Sequence, residues 1–174
     1  MNDPRYPIGK YEPQPYSDRL RDQWIADIRF LPTLLENAVS PLDAAQLETP
    51  YREGGWTVQQ LAHHVADSHV NAYTRFKLGL TEDNPTIKPY EEKAWAELAD
   101  TKLPVNLSLT LLHALHARWV AVLEHVSRGD WEGRGVVHPE TGKHISLWNL
   151  LGQYSWHSRH HVAHITSLIE AKGW

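Results

Sequence analysis

The chain has 174 residues, with 17 Lys and Arg against 21 Asp and Glu and a formal charge of −4, which suits one domain with a substantial core but lacks the clustered positive charge that a nucleic-acid partner demands. No apolar run is long enough to cross a bilayer, and the opening MNDPRYPIGKYEPQPYS lacks the basic-then-apolar order of a secretory signal. Cysteine is absent, which excludes disulfides, thiolate metal sites and a cysteine nucleophile and fits a cytoplasmic protein.

Residues 1–16 read as an extended, Pro-rich arm on the surface of a domain spanning 1–174. The first helix is expected from Ser17 to Val39, with Leu20, Trp24, Ile28, Leu31 and Leu35 on one stripe and Pro32 kinking or restarting it. A helical turn follows at SPLDAAQL. In WTVQQL, Thr57 and Gln60 stand as N-cap and N3 of a capping box and Trp56 and Leu61 as a hydrophobic staple. The second helix then runs to Leu78, ended by Gly79. The next connection, TEDNPTIKPYEEKAWAELADTKLPV, is longer than a bundle needs and holds a short helix around Glu91 to Ala99. A third helix spans Leu107 to Ser127, with Gly129 beyond its end. VVHPETGKHI reads as a hairpin turning at Gly142. The fourth helix runs from Ser146 to Lys172 before Gly173, with Ile145 and Leu150 as a second staple. Four such helices make an all-α bundle, with Trp24, Trp119 and Trp148 in its core and Trp95 packed on it.

Twelve histidines invite the functional question, since imidazole is the commonest metal ligand. The core-facing line of the fourth helix steps through Leu150, Tyr154, His157, His161, Ile165 and Leu168. Two imidazoles buried without partners would be costly, whereas side chains four apart share a face and can meet one ion. The other pair, His160 and His164, follows Gln153 and Trp156 onto the flank and is expected to be half-solvated. For a third ligand the second helix offers His64 beside its apolar stripe, with His113 and His116 on the third helix as alternatives. His116, between Leu112 and Val120, could instead hydrogen-bond substrate or a ligand. His63, His69, His125, His138 and His144 read as structural. Asp67, one turn from His64, and His116 are the candidates for moving a proton, a solvated helix carboxylate being the plainer reading of Asp67. Arg75 and Arg118 could hold an anionic group or simply solubilise their helices.

The stretches PYREGGWTVQQLAHHVADSHVNAYTRFKL, TEDNPTIKPYEEKAWAEL, LHARW and WHSRHHVAHI resemble the YfiT branch of the DinB/YfiT-like superfamily, and the likeness extends from YPIGKY to the final GW. The resemblance implies a four-helix bundle with a long connection between helices two and three, a homodimer, and Zn2+ or Ni2+ held by three side chains. Carried over by position, these are His64, His157 and His161. It further implies a metal-dependent hydrolase or a transferase of a low-molecular-weight thiol such as bacillithiol. Three neutral nitrogen donors leave an open position that can activate a thiol or a water. Thiol S-transfer onto a small molecule is the leading expectation and hydrolysis the alternative. Behind them stand a non-enzymatic metal-dependent binding module and a purely structural metal, which would require a fourth protein ligand such as His116.

Overall fold

The computed structural model describes residues 3–174; Met1 and Asn2, the first two residues of the expected arm, lie outside the described residues. In chain order the elements are α1 (Asp18–Val39), α2 (Ala44–Leu47), α3 (Val58–Thr81), α4 (Glu92–Trp95), a 3-10 turn (Ala99–Lys102), α5 (Asn106–Leu123), α6 (Arg128–Gly133), β1 (Gly135–Val137), β2 (His144–Ser146) and α7 (Leu147–Lys172). The long helices α1, α3, α5 and α7 form a four-helix bundle in which α1 packs on α5 and α7, and α3 packs on the same two. No described helix is long and apolar enough to cross a membrane.

Local chemistry accounts for most boundaries. Thr57 and Gln60 close a capping box at the start of α3: the Gln60 N–H donates to Thr57 Oγ1 and the Thr57 N–H to Gln60 Oε1, at 3.1 and 3.0 Å. Ser17 and Ser146 cap α1 and α7 with their hydroxyls alone, which accept from the Leu20 and Asn149 N–H groups, and Gly173 ends α7 in the left-handed conformation. The two strands pair antiparallel with Val136 opposite Ile145, and Gly142 turns between them at φ +62°. Residues 9–14 lie along α7, where the indole N–H groups of Trp156 and Trp148 donate to the Gly9 and Gln14 carbonyls.

Four expectations about element bounds can be set against the structure. Pro32 neither ends nor restarts α1, which stays helical to Val39; the local consequence is that the Ile28 carbonyl has no N–H four residues on to accept from. Gly79 does not stop α3, which runs to Thr81. A Cβ there would come within 3.0 Å of the Gly135 carbonyl oxygen and of Leu147 Cδ2, so this glycine serves the close approach of α3 to β1. The third long helix ends at Leu123, and Ser127 caps the separate short helix α6 that contains Gly129. In the long connection the expected single helix is a turn at Glu92–Trp95 followed by the 3-10 turn.

The core falls into two apolar clusters. One gathers Trp24, Ile28, Phe76, Trp119, Trp131, Leu151 and Tyr154; the other gathers Leu31, Leu35, Leu61, Val65, Leu112 and Ile165. Between them the same helices carry His69, His116, His157 and His161, so a polar layer crosses the bundle. Burying Trp131 and Trp148 on the first cluster seals the hairpin end.

The hairpin backbone leaves no room for a side chain at Gly135, whose Cβ would lie 2.1 Å from the Ile145 carbonyl oxygen. Gly135→Ala should therefore lower stability by about 1–3 kcal/mol, read as a lower urea midpoint. Gly133→Ala, where a Cβ meets nothing within 4 Å, should leave the midpoint unchanged or slightly raised.

Candidate metal centre

Helices α3 and α7 bring His64, His157 and His161 together. One ring nitrogen from each lies within 4.8 Å of the others, and Nε2 of His157 and Nε2 of His161 are 3.0 Å apart. The His64 ring centroid is 5.1 Å from that of His161 and 5.6 Å from that of His157, and Trp56 packs on its other side at 4.6 Å. His64 and His161 are buried, while His157 is partly open. Burial disfavours the imidazolium form: it pulls His64 down from 6.5 to about 4 and lowers His157 and His161 well below the ordinary value, reinforced by the neighbouring imidazoles. All three are neutral at pH 7 and present lone pairs. Such donors, spaced to be spanned by bonds of about 2.1 Å, fit a divalent transition metal. His161 Nδ1 is buried with no hydrogen-bond partner among the described residues.

His116 stands one residue removed from this group. Its Nε2 lies 2.9 Å from Nδ1 of His69, whose Nε2 lies 3.1 Å from Nδ1 of His157; His116 Nδ1 meets the Ile28 carbonyl oxygen. It is too far back to complete the cluster of His64, His157 and His161. His69, expected to be structural, is fully buried and lies beside the cluster, 3.1 Å from His157. The signal was present: it falls four residues after Val65 and three before Ala72, on the apolar stripe of α3. His113 points elsewhere, 2.9 Å from a carboxylate oxygen of Glu36 on the exposed face.

The pair His160 and His164 is buried, at 7% and 4% exposure, rather than half-solvated. Trp156 of α7 itself stacks on His160 at 4.3 Å with Tyr6 beyond it, and Tyr51 covers His164 at 4.2 Å, so Tyr6 and Tyr51, outside the long helices, complete the cover. With His161 these two form a second group close enough to share an ion.

His63 holds the long connection: its Nε2 donates to the Leu103 carbonyl at 2.9 Å, leaving Nδ1 to accept from the Ser108 hydroxyl at 2.7 Å. Gln59 and Gln60 donate to the Thr101 and Ala96 carbonyls. Strapped in this way, the connection forms one wall of a cavity of about 190 Å³ lined by Ser68, Arg75, Tyr90, Glu92, Tyr154 and His157 among others. Arg75 donates to the Tyr154 hydroxyl at 2.9 Å. Asp67 makes no side-chain hydrogen bond among the described residues; partial burial and the nearby Asp100 push its carboxyl up to about 6. A larger hollow of about 550 Å³, at Glu82, Asp83 and Asp130, lies away from the histidines.

A four-helix bundle with three imidazoles converging from two helices beside a cavity defines a class, and comparison gives it a family. The DinB superfamily pattern matches residues 27–165, and the chain belongs to that superfamily. It is 54% identical over 175 aligned positions to a Bacillus cereus protein and 53% identical to one from Bacillus anthracis, in each case covering the full length of both chains; both bear the name "Putative metal-dependent hydrolase". Among solved structures it matches one described as "YfiT from Bacillus subtilis is a probable metal-dependent hydrolase with an unusual four-helix bundle topology", at a TM-score of 0.94 and 50% identity over 98% of each chain.

The neutral histidines make an acid prediction for metal-free protein. His64, His69, His116, His157, His160, His161 and His164 all have folded-state values below the ordinary 6.5. Between that value and about 4 the unfolded chain binds more protons than the folded one. Stability is therefore fully present above pH 6.5 and falls as pH drops toward 4, each buried histidine adding on the order of 1 kcal/mol per pH unit. Urea unfolding of chelator-treated protein should show a much lower midpoint at pH 5.0 than at pH 7.5; equal midpoints would contradict the burial of neutral imidazoles.

Proposed function

We propose that His64, His157 and His161 hold one divalent metal ion, Zn2+ or Ni2+, and that the protein is a metal-dependent hydrolase of a small molecule. The observation that carries the reading is the approach of three neutral imidazoles to one point beside the cavity at His157. Three protein ligands characterise catalytic rather than closed structural sites, and an ion so held supplies Lewis-acid activation of water and of the substrate's reacting group.

The chain's own residues do the rest. His157, the partly open ligand, marks the side from which substrate enters. At about 190 Å³ the cavity takes a small substrate or only its reactive end. Arg75, held by Tyr154, presents a cation to an anionic substrate group. The Asp67 carboxyl, raised to about 6, is poised to exchange a proton near neutral pH, and His116, behind His69, has no direct access to the reacting atoms. The relatives' names support hydrolysis, and nothing in the geometry favours a thiol such as bacillithiol over water, so the order expected from the sequence, thiol transfer first, is reversed. The homodimer implied by resemblance has apolar surface available to bury in Phe30 and Leu34 of α1 and Leu107 and Leu111 of α5, all exposed.

Elemental analysis of untagged protein should find one Zn2+ or Ni2+ per chain, lost in His157→Ala and His161→Ala. The same loss, or chelation, should abolish turnover of a panel of small esters and amides, and added bacillithiol should leave wild-type turnover unchanged. Turnover that requires the thiol would restore the transferase reading.

A further inference from the structure

We propose that His69 and His116 are positioning residues: together with the Ile28 carbonyl they dictate which nitrogen of His157 faces the metal. The inference rests on the metal reading above and extends it to residues outside the ligand set. It begins with Pro32, which lacks an N–H, so the carbonyl of Ile28 is left without its helical donor. Nδ1 of His116 occupies that place. A carbonyl oxygen only accepts, so this nitrogen carries the proton.

The remaining protons follow in order. A neutral imidazole has one ring N–H, so His116 Nε2 is bare and accepts from His69 Nδ1 across 2.9 Å. His69 Nε2 is then bare and accepts from His157 Nδ1 across 3.1 Å. His157 is left with a bare Nε2, which is the nitrogen 3.0 Å from His161 Nε2. Running the chain in the opposite direction would press a bare His116 Nδ1 against the carbonyl oxygen, two lone pairs in contact. Water offers no relief there, since His69 and His116 are 0% and 1% exposed.

The neighbouring pair lacks such a device. His160 and His164 also approach Nε2 to Nε2 at 3.0 Å, but His160 Nδ1 is buried without a partner among the described residues, so nothing selects its tautomer. The relay thus prepares His157 for a cation, whereas His161, whose Nδ1 is likewise buried without a partner among the described residues, receives no such instruction. A ligand histidine whose second nitrogen donates to a fixed acceptor is held in orientation and made more basic, an effect that typically alters metal affinity 10–100-fold.

The test combines two variants with a spectroscopic reading. In wild-type protein labelled with ¹⁵N-histidine, two-bond ¹H–¹⁵N correlation spectra should place the protons of His116, His69 and His157 on Nδ1, with and without Zn2+. A proton on Nε2 of His116 or of His69 overturns the proposal even if zinc binds; failure of the wild type to bind zinc, with all three protons on Nδ1, overturns the metal reading and leaves the proton order standing. His69→Phe fills the space but can neither accept from His157 nor donate to His116, and should weaken Zn2+ binding about 10–100-fold. His69→Gln keeps one acceptor and one donor and should recover most of that loss. A purely packing role predicts the reverse ranking, Phe above Gln, and zinc affinity equal to wild type in His69→Phe contradicts the proposal. Should both variants fail to fold, the wild-type spectra still decide.

Discussion

The structure turns on the cost of desolvating imidazole. Helices α3, α5 and α7 pass from one hydrophobic cluster to the other through a level of histidines, while α1 contributes a backbone carbonyl to it. His69, His116, His157 and His161 occupy that level; His69, His116 and His161 are buried, and His157 is partly open toward the cavity. Burial keeps them neutral, and a neutral ring needs both a donor and an acceptor satisfied. The backbone provides the first acceptor at Ile28, where Pro32 interrupts the helical ladder, and successive rings provide the others. The ordering ends at the bare Nε2 of His157, 3.0 Å from Nε2 of His161, where either a proton carried by His161 or a cation can join the two rings. The proposed metal site is thus continuous with the way the core is satisfied.

Much of this was legible in the chain. The capping box of Thr57 and Gln60 and the helix starts at Ser17 and Ser146 are local signals with local causes, and the apolar stripe of α7 pointed directly to His157 and His161. What was not legible depended on distant neighbours. Gly79 carries the signature of a helix stop, but its absence of a side chain is used by β1 from more than fifty residues away. His160 and His164 lie off the apolar stripe and become buried only when Trp156, Tyr6 and Tyr51 close over them. His69 sits on a readable stripe, but its meaning depends on two rings supplied by α5 and α7.

The long connection links this core to function. Gln59, Gln60 and His63 fasten it to the face of α3, so the histidine adjacent to His64 has a separate task, about a quarter-turn around the helix. Tyr90 and Glu92, from the same connection, then meet Arg75 and Tyr154 over His157. A wall built from connection rather than helix can change its lining without disturbing the imidazole layer, since loops tolerate variation that packed helices do not.

The central claim concerns where a cation sits, and anomalous diffraction from crystals of the zinc-loaded protein, recorded on both sides of the zinc edge, addresses it most directly. One peak per chain is expected at bonding distance, about 2.1 Å, from ring nitrogens of His64, His157 and His161, with Nε2 the atom contributed by His157. A peak centred instead on His160 and His164, or His157 bound through Nδ1, would contradict the account.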